Sequence, residues 1–250
     1  MSRVFHQNVY RAGLGREFER IFLPVANQLP AGDPVPLDGT LPSSALAGLL
    51  QQSLSIYLHV PFCRSRCGYC DFNTYTASEL RGMSTGDYLA AVLQEITLAA
   101  RVLGSEAPEV TTVFVGGGTP TMLQAGELSR LLDAVRECFG LVHDAEITTE
   151  ANPETVTPEY LRRLREAGFT RISLGMQSAV PHVLEVLERA HTPGHGIDAA
   201  LWARQAGFEH ISLDLIFGAP GESTADWKES LEAVAATPVD HVSAYSLIVE

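Results

Sequence analysis

Residues 56–75 read Ile-Tyr-Leu-His-Val-Pro-Phe-Cys-Arg-Ser-Arg-Cys-Gly-Tyr-Cys-Asp-Phe-Asn-Thr-Tyr, and the plan of the chain works outward from them. Ile56 to Val60 alternates in the manner of a strand, and Pro61 ends it. The loop that follows carries Cys63, Cys67 and Cys70 in a C-x3-C-x2-C spacing. Thiols this crowded suit a soft metal or an iron–sulfur cluster better than they suit packing. Three thiols are one short of a closed set, so a four-iron cluster held by them would keep one iron open to a small molecule. Zinc with His59 as a fourth ligand, or a disulfide with one spare thiol, are the competing uses of the same residues.

The composition narrows the setting. The chain has 250 residues, 46% of them hydrophobic, enough for one large α/β domain or two small ones. A net charge of −13 argues against a nucleic-acid footprint and against anionic membrane surfaces. No long apolar run predicts a spanning helix, and no apolar stretch at the N-terminus reads as a signal peptide. With clustered thiols, this predicts a reducing cytoplasm. Cys138 lies on the apolar side of a helical pattern and reads as a small buried hydrophobe.

Residues 1–54 form a poorly defined arm and lead-in. Arg16 to Leu23 reads as a short amphipathic turn, Pro30 to Pro42 as a loop, and Ser43 to Gln52 as a short helix. From residue 55 onward the pattern is regular. Strands are expected over Thr111–Val115, Ala145–Glu150, Arg171–Leu174, His210–Phe217 and His241–Val249, with helical periodicity between them. Thr157-Pro158 and Ser223 or Thr224 are helix-start signals. Strands alternating with helices imply a parallel sheet, and about six such units imply a partial (β/α)6 TIM-like barrel over residues 55–250. Glu250 follows a strand directly, so a C-terminal domain is expected beyond it.

Chemistry in such folds collects at the C-terminal strand ends. Gly116-Gly117-Gly118-Thr119-Pro120 lets backbone approach a ligand or simply makes a tight turn. Glu150 can accept from hydroxyls or an ammonium, or cap a loop. Gln177 follows the next strand. Asp214 sits in an apolar strand, where a charge needs a partner. Arg189 ends a helix and complements its dipole or serves the site. His191 and His195 flank a Pro-Gly turn and read as ligands or solvated loop residues.

The cysteine spacing, the preceding strand and Tyr69 before the third cysteine resemble the radical S-adenosylmethionine (SAM) superfamily. Six segments are similar in order to the HemN/HemW family: His59-Val-Pro-Phe-Cys, Cys67-Gly-Tyr-Cys-Asp-Phe-Asn, Gly116-Gly-Gly-Thr-Pro, Glu150-Ala-Asn-Pro, Arg171-Ile-Ser-Leu-Gly-Met-Gln-Ser and Asp214-Leu-Ile-Phe-Gly-Ala-Pro-Gly. The resemblance covers residues 55–250. It implies a radical SAM-type partial barrel with a [4Fe–4S] cluster on Cys63, Cys67 and Cys70. It implies Tyr57, Tyr69, Gly117 and Glu150 as contacts of cluster-bound SAM. Gly118, Thr119, Gln177, Arg189 and Asp214 match positions that hold a second SAM in the family's coproporphyrinogen III dehydrogenase. The dehydrogenase pattern carries a further cysteine where this chain has Phe72, and its Tyr- and Pro-bearing lead-in is replaced here by a Pro/Gly/Asp-rich arm. The resemblance therefore implies the family's haem-chaperone branch, with haem and a haem-accepting protein as partners and an electron donor of flavodoxin or ferredoxin type. The dehydrogenase is the alternative, and a radical SAM enzyme acting on an unrelated small molecule is a third. The H-N-x-x-Y-W motif of that branch is expected beyond Glu250.

Overall fold

The computed structural model describes residues 39–80, 82, 84–189 and 192–248; Arg16–Leu23, most of the arm, His191 and Val249 lie outside them. Six strands form one parallel sheet in chain order: β1 Leu54–Val60, β2 Val110–Gly117, β3 Leu141–Ala151, β4 Arg171–Gln177, β5 His210–Phe217 and β6 His241–Ser246. The helices are α1 Ser43–Leu46, α2 Thr85–Leu103, α3 Ala125–Phe139, α4 Pro158–Ala167, α5 Pro181–Val186, α6 His195–Gln205 and α7 Thr224–Ala235. This is the partial (β/α)6 barrel expected from the strand–helix alternation.

Local chemistry starts the helices where the sequence says. Ser84 and Asp87 exchange the two hydrogen bonds of a capping box at α2, and Ser223 and Asp226 do the same at α7. Thr157 caps α4, with Pro158 in its first turn. Several boundaries differ from the periodicity, among them β4, which runs past Leu174 so that Gln177 is its last residue and does not follow it. The expected lead-in helix is broken at Gly48, which takes a positive φ of 79°, into α1 and a 3-10 turn Leu49–Gln51. β3 begins at Leu141, before Ala145: Leu141 pairs with Val110 across a register irregularity, and the exposed His143 and Asp144 interrupt the alternation there. β6 ends at Ser246, although Leu247 still donates to the Phe217 carbonyl.

Successive side chains on a strand point to opposite faces. One face packs under the helices: Val113 and Val115, Ile147, Ile172 and Leu174, and Ile211, Leu213 and Leu215 join α2, α3, α4 and α6 in one continuous core. Cys138 packs at the edge of that core, as a small hydrophobe should. The other face is polar and concave. It presents Tyr57, Phe114, Thr148, Glu150, Ser173, Asp214 and Ser243, with the C-terminal strand ends as its mouth. Among the described residues no helix is long and apolar enough to cross a membrane.

Candidate functional site

The cysteine loop leaves β1 and is tied at both ends. The Phe62 and Tyr75 segments form a parallel bridge, with Cys63 N donating to Tyr75 O at 3.0 Å and Tyr75 N to Pro61 O at 2.7 Å. The loop is also seated on the Gly-rich turn after β2: Gly118 N donates to Val60 O at 2.8 Å and Thr119 N to Phe62 O at 2.7 Å. Each glycine there is needed for space. A Cβ at Gly116 would lie 2.9 Å from Glu150 Oε2, one at Gly117 2.7 Å from the His59 ring, and one at Gly118 2.6 Å from Phe62 O and 2.9 Å from Cys63 Sγ. Gly117 also holds a positive φ of 117°. The turn is therefore a cradle shaped by its neighbours.

Cys63, Cys67 and Cys70 are all free and half-buried at this mouth. Burial pushes the Cys63 thiol up, while the Thr74 and Thr119 hydroxyls beside it favour its thiolate. Cys70 N donates to Cys67 O at 3.1 Å, a turn that places these two thiols on neighbouring loop positions. Cys67 Sγ accepts from Arg189 Nη1 at 3.1 Å. No group of three His, Cys, Asp or Glu side chains among the described residues is arranged as it stands to hold a metal ion. The donor chemistry nevertheless fits an iron–sulfur group: three soft sulfurs, no disulfide, and a Cβ-free cradle against one of them. His59 does not turn toward the thiols. Its ring nitrogens contact Tyr57 Oη and Asn73 O, each at 2.8 Å, so it ties β1 to the end of the loop. This removes the observation on which a zinc ligand at His59 would rest.

Glu150 stands beside the cradle and accepts from Gly117 N at 3.0 Å. Burial raises its pKa, the Gly117 hydrogen bond opposes that, and the negative charge of Asp214 adds to the rise. Tyr57 stacks on Phe114 and is raised likewise, by burial and then by Glu150. Asp214 has the partners its strand position calls for, and they are hydroxyls: Ser173 Oγ lies 3.0 and 3.1 Å from its two oxygens, and Ser243 also favours the carboxylate. Burial still leaves its pKa raised.

The turns around α5 complete the mouth. Gln177 and Glu188 are the two non-glycine residues with positive φ among the described residues, and they flank this short helix. The Gln177 side chain lies over Gly175, where a Cβ would meet its amide nitrogen at 2.9 Å. Tyr69 packs with Val180, Val183 and Leu187 against the end of β5. Burial raises its hydroxyl pKa, Arg189 partly offsets this, and Cys67 adds to the rise. His195 is held away from the thiols by Glu154, at 2.9 Å, and Glu154 also accepts from Thr192 N at 2.8 Å. Sequence reasoning missed this Glu154 clamp and the cysteine-facing direction of Arg189. Parity along β5 could have paired Asp214 with Ser173 and Ser243.

The radical SAM superfamily model matches residues 57–234. The chain is 53% identical over 205 residues to the "Heme chaperone HemW" of Mycobacterium tuberculosis, covering 82% of this chain and 52% of that protein. It is 38% identical over 197 residues to the Bacillus subtilis protein of the same name, covering 78% and 51%. Among solved structures, Escherichia coli coproporphyrinogen III oxidase (HemN), a radical SAM enzyme, is similar with a TM-score of 0.75 and 31% identity, covering 82% of this chain and 46% of that one. The chain spans about half the length of the curated relatives it matches.

Proposed function

Since this chain belongs to the radical SAM superfamily, we propose that Cys63, Cys67 and Cys70 hold a [4Fe–4S] cluster with SAM at its open iron, in a protein that binds haem and passes it to an acceptor protein. When bound, such a cluster supplies one electron at an iron that SAM can chelate. The chain's own residues give the rest of the site. The Gly116–Gly118 backbone offers close approach without side chains, and Glu150 can accept from ribose hydroxyls or an ammonium. Tyr57 and Phe114 give an aromatic floor, and Tyr69 closes the α5 side. The Phe62–Tyr75 bridge fixes the ends of the loop that carries the three thiols.

The single observation that carries the haem-handling reading is 53% identity to a relative named as a haem chaperone. Phe72 agrees with it. That residue occupies the further cysteine position of the dehydrogenase pattern, is 61% exposed, and can supply neither a thiolate nor a hydrogen atom. The dehydrogenase reading has the structural likeness to HemN and the presence of Gln177, Arg189 and Asp214 in its favour. Transfer to a haem-accepting protein, with electrons from a flavodoxin- or ferredoxin-type donor, belongs to the same proposal.

Anaerobic reconstitution with iron and sulfide analysis tests the cluster: one [4Fe–4S] per chain is expected, and stoichiometric zinc without sulfide would sink it. Incubating the full-length protein with haem, and separately with coproporphyrinogen III, tests the rest. Haem binding without decarboxylation is expected. Repeated conversion of coproporphyrinogen III to protoporphyrinogen IX would replace the chaperone reading with the dehydrogenase.

A further inference from the structure

Among the described residues Arg189 has no carboxylate counter-ion. Its Nη2 donates to the Gly175 carbonyl at 3.1 Å, its Nη1 to Cys67 Sγ at 3.1 Å, and its Nε is buried with no partner. No described carboxylate pairs with it. The side chain it does reach is Cys67, on the cysteine loop. A guanidinium taken this far out of water is costly unless an anion answers it. Negative charge gathered at this site would answer it.

The backbone around Arg189 is arranged to deliver it. Glu188 is held at a φ of 53°, a conformation that side chains other than glycine rarely adopt. The Glu188 carboxyl lies 3.1 Å from where a Cβ on Gly68 would stand, so this turn rests on the cysteine loop one residue from Cys67. Gly175 leaves room for Arg189 as well: a Cβ there would meet Nη2 at 3.0 Å. Both of its hydrogen bonds thus face the loop and the neighbouring strand end, where a second SAM is not required to explain them.

We propose that Arg189 is the positioning partner of the cluster ligand Cys67, orienting its sulfur and holding the reduction potential of the cluster up. The inference rests on the cluster assignment above. Three thiolates on an oxidised cubane leave a net negative charge, and reduction adds one more electron with no bond made or broken. A fixed cation and an N–H donor at a ligating sulfur stabilise the reduced form more than the oxidised form.

The test is a dithionite titration of anaerobically reconstituted protein, followed by electron paramagnetic resonance without SAM, on wild type, Arg189→Met and Arg189→Lys. Wild type that takes up no cluster overturns the cluster assignment itself. With wild type loaded, Arg189→Met should show a midpoint lowered by at least tenfold in the reduced-to-oxidised ratio, about 59 mV for a one-electron step. Arg189→Lys, which keeps the charge and loses the fork, should fall between. Full loading of Arg189→Met at the wild-type midpoint overturns the proposal, and loss of one of two bound SAM molecules in that variant would give Arg189 to a second SAM instead. Loss of loading with wild-type melting supports the orienting role. Loss of loading with unfolding in both variants overturns it, leaving Arg189 a structural cation.

Discussion

On the helix side of β4, Ile172 and Leu174 are wholly buried among apolar neighbours; on the other side of the same strand, Ser173 meets Asp214 and Gly175 makes room for Arg189. The first face has every property of a core: branched aliphatic residues, continuous contact with four helices, and no charge. The second carries raised-pKa carboxylates, an unanswered guanidinium donor and glycines whose added Cβ would press on their neighbours. Stability in this molecule comes from one face and chemistry is gathered on the other. A strand of seven residues is enough to serve both because its period is two.

Substitutions should separate the faces. The largest loss of stability is expected from Leu174→Ala, which empties a fully buried site and should cost about 2 to 5 kcal/mol. Urea melts would read it, and iron loading of the fraction that remains folded should match wild type. A loading defect in folded Leu174→Ala would mean that the two faces are coupled. Gly118→Ala is the converse. Its Cβ would press on the Phe62 carbonyl and on Cys63 Sγ, so most cluster loading should be lost for about 1 to 3 kcal/mol of stability. Gly126→Ala, at a helical glycine whose Cβ would meet nothing within 4 Å, is the control and should load normally. Equal behaviour of the two glycine variants would remove the cradle from the argument. Glu150→Gln should act on ligand affinity alone. Losing a charge-assisted hydrogen bond costs about 1.5 to 3 kcal/mol, roughly ten- to hundredfold in the dissociation constant of SAM, read by calorimetry on reconstituted protein.

The same division explains what could be read from the sequence. Periodicity reports burial, so the helix-facing residues announced the strands, the helices and the parallel sheet. The cap residues Thr157 and Ser223 announced their helices, whereas the Ser84 cap was not read. The start of β3, interrupted by the exposed His143 and Asp144, and the exposed β6 carry too little alternating burial for periodicity to mark their ends. At the mouth, Cys63, Cys67, Cys70, the glycines and Glu150 were legible because local chemistry marks them. The direction of Arg189 was not, because it depends on a strained turn at Glu188 that comes from tertiary packing. The Glu154–His195 clamp was hidden for a similar reason: its partners lie 41 positions apart.

The smallest effect should be a gain. Asp214 is partly buried beside two serine hydroxyls, and burial is the main reason its pKa is raised, ahead of the opposing hydrogen bonds and the opposing charges of Arg171 and His241. The folded state therefore holds this proton more tightly than the unfolded chain does. Stability from that proton is fully present below the usual carboxylate range and is lost as pH rises through the raised value, so at neutral pH the ionised group opposes folding. Asp214→Asn keeps the shape and removes the ionisation. It should stabilise the neutral-pH protein by about 0.5 to 2 kcal/mol, the common range for such replacements. The advantage over wild type should shrink toward zero below the carboxylate range, where Asp214 is protonated in both states. Paired urea melts at the two pH values measure it. A variant that is less stable at neutral pH, or whose advantage does not change with pH, would show that Ser173 and Ser243 fully compensate the charge. The inner face would then cost the fold nothing at this position.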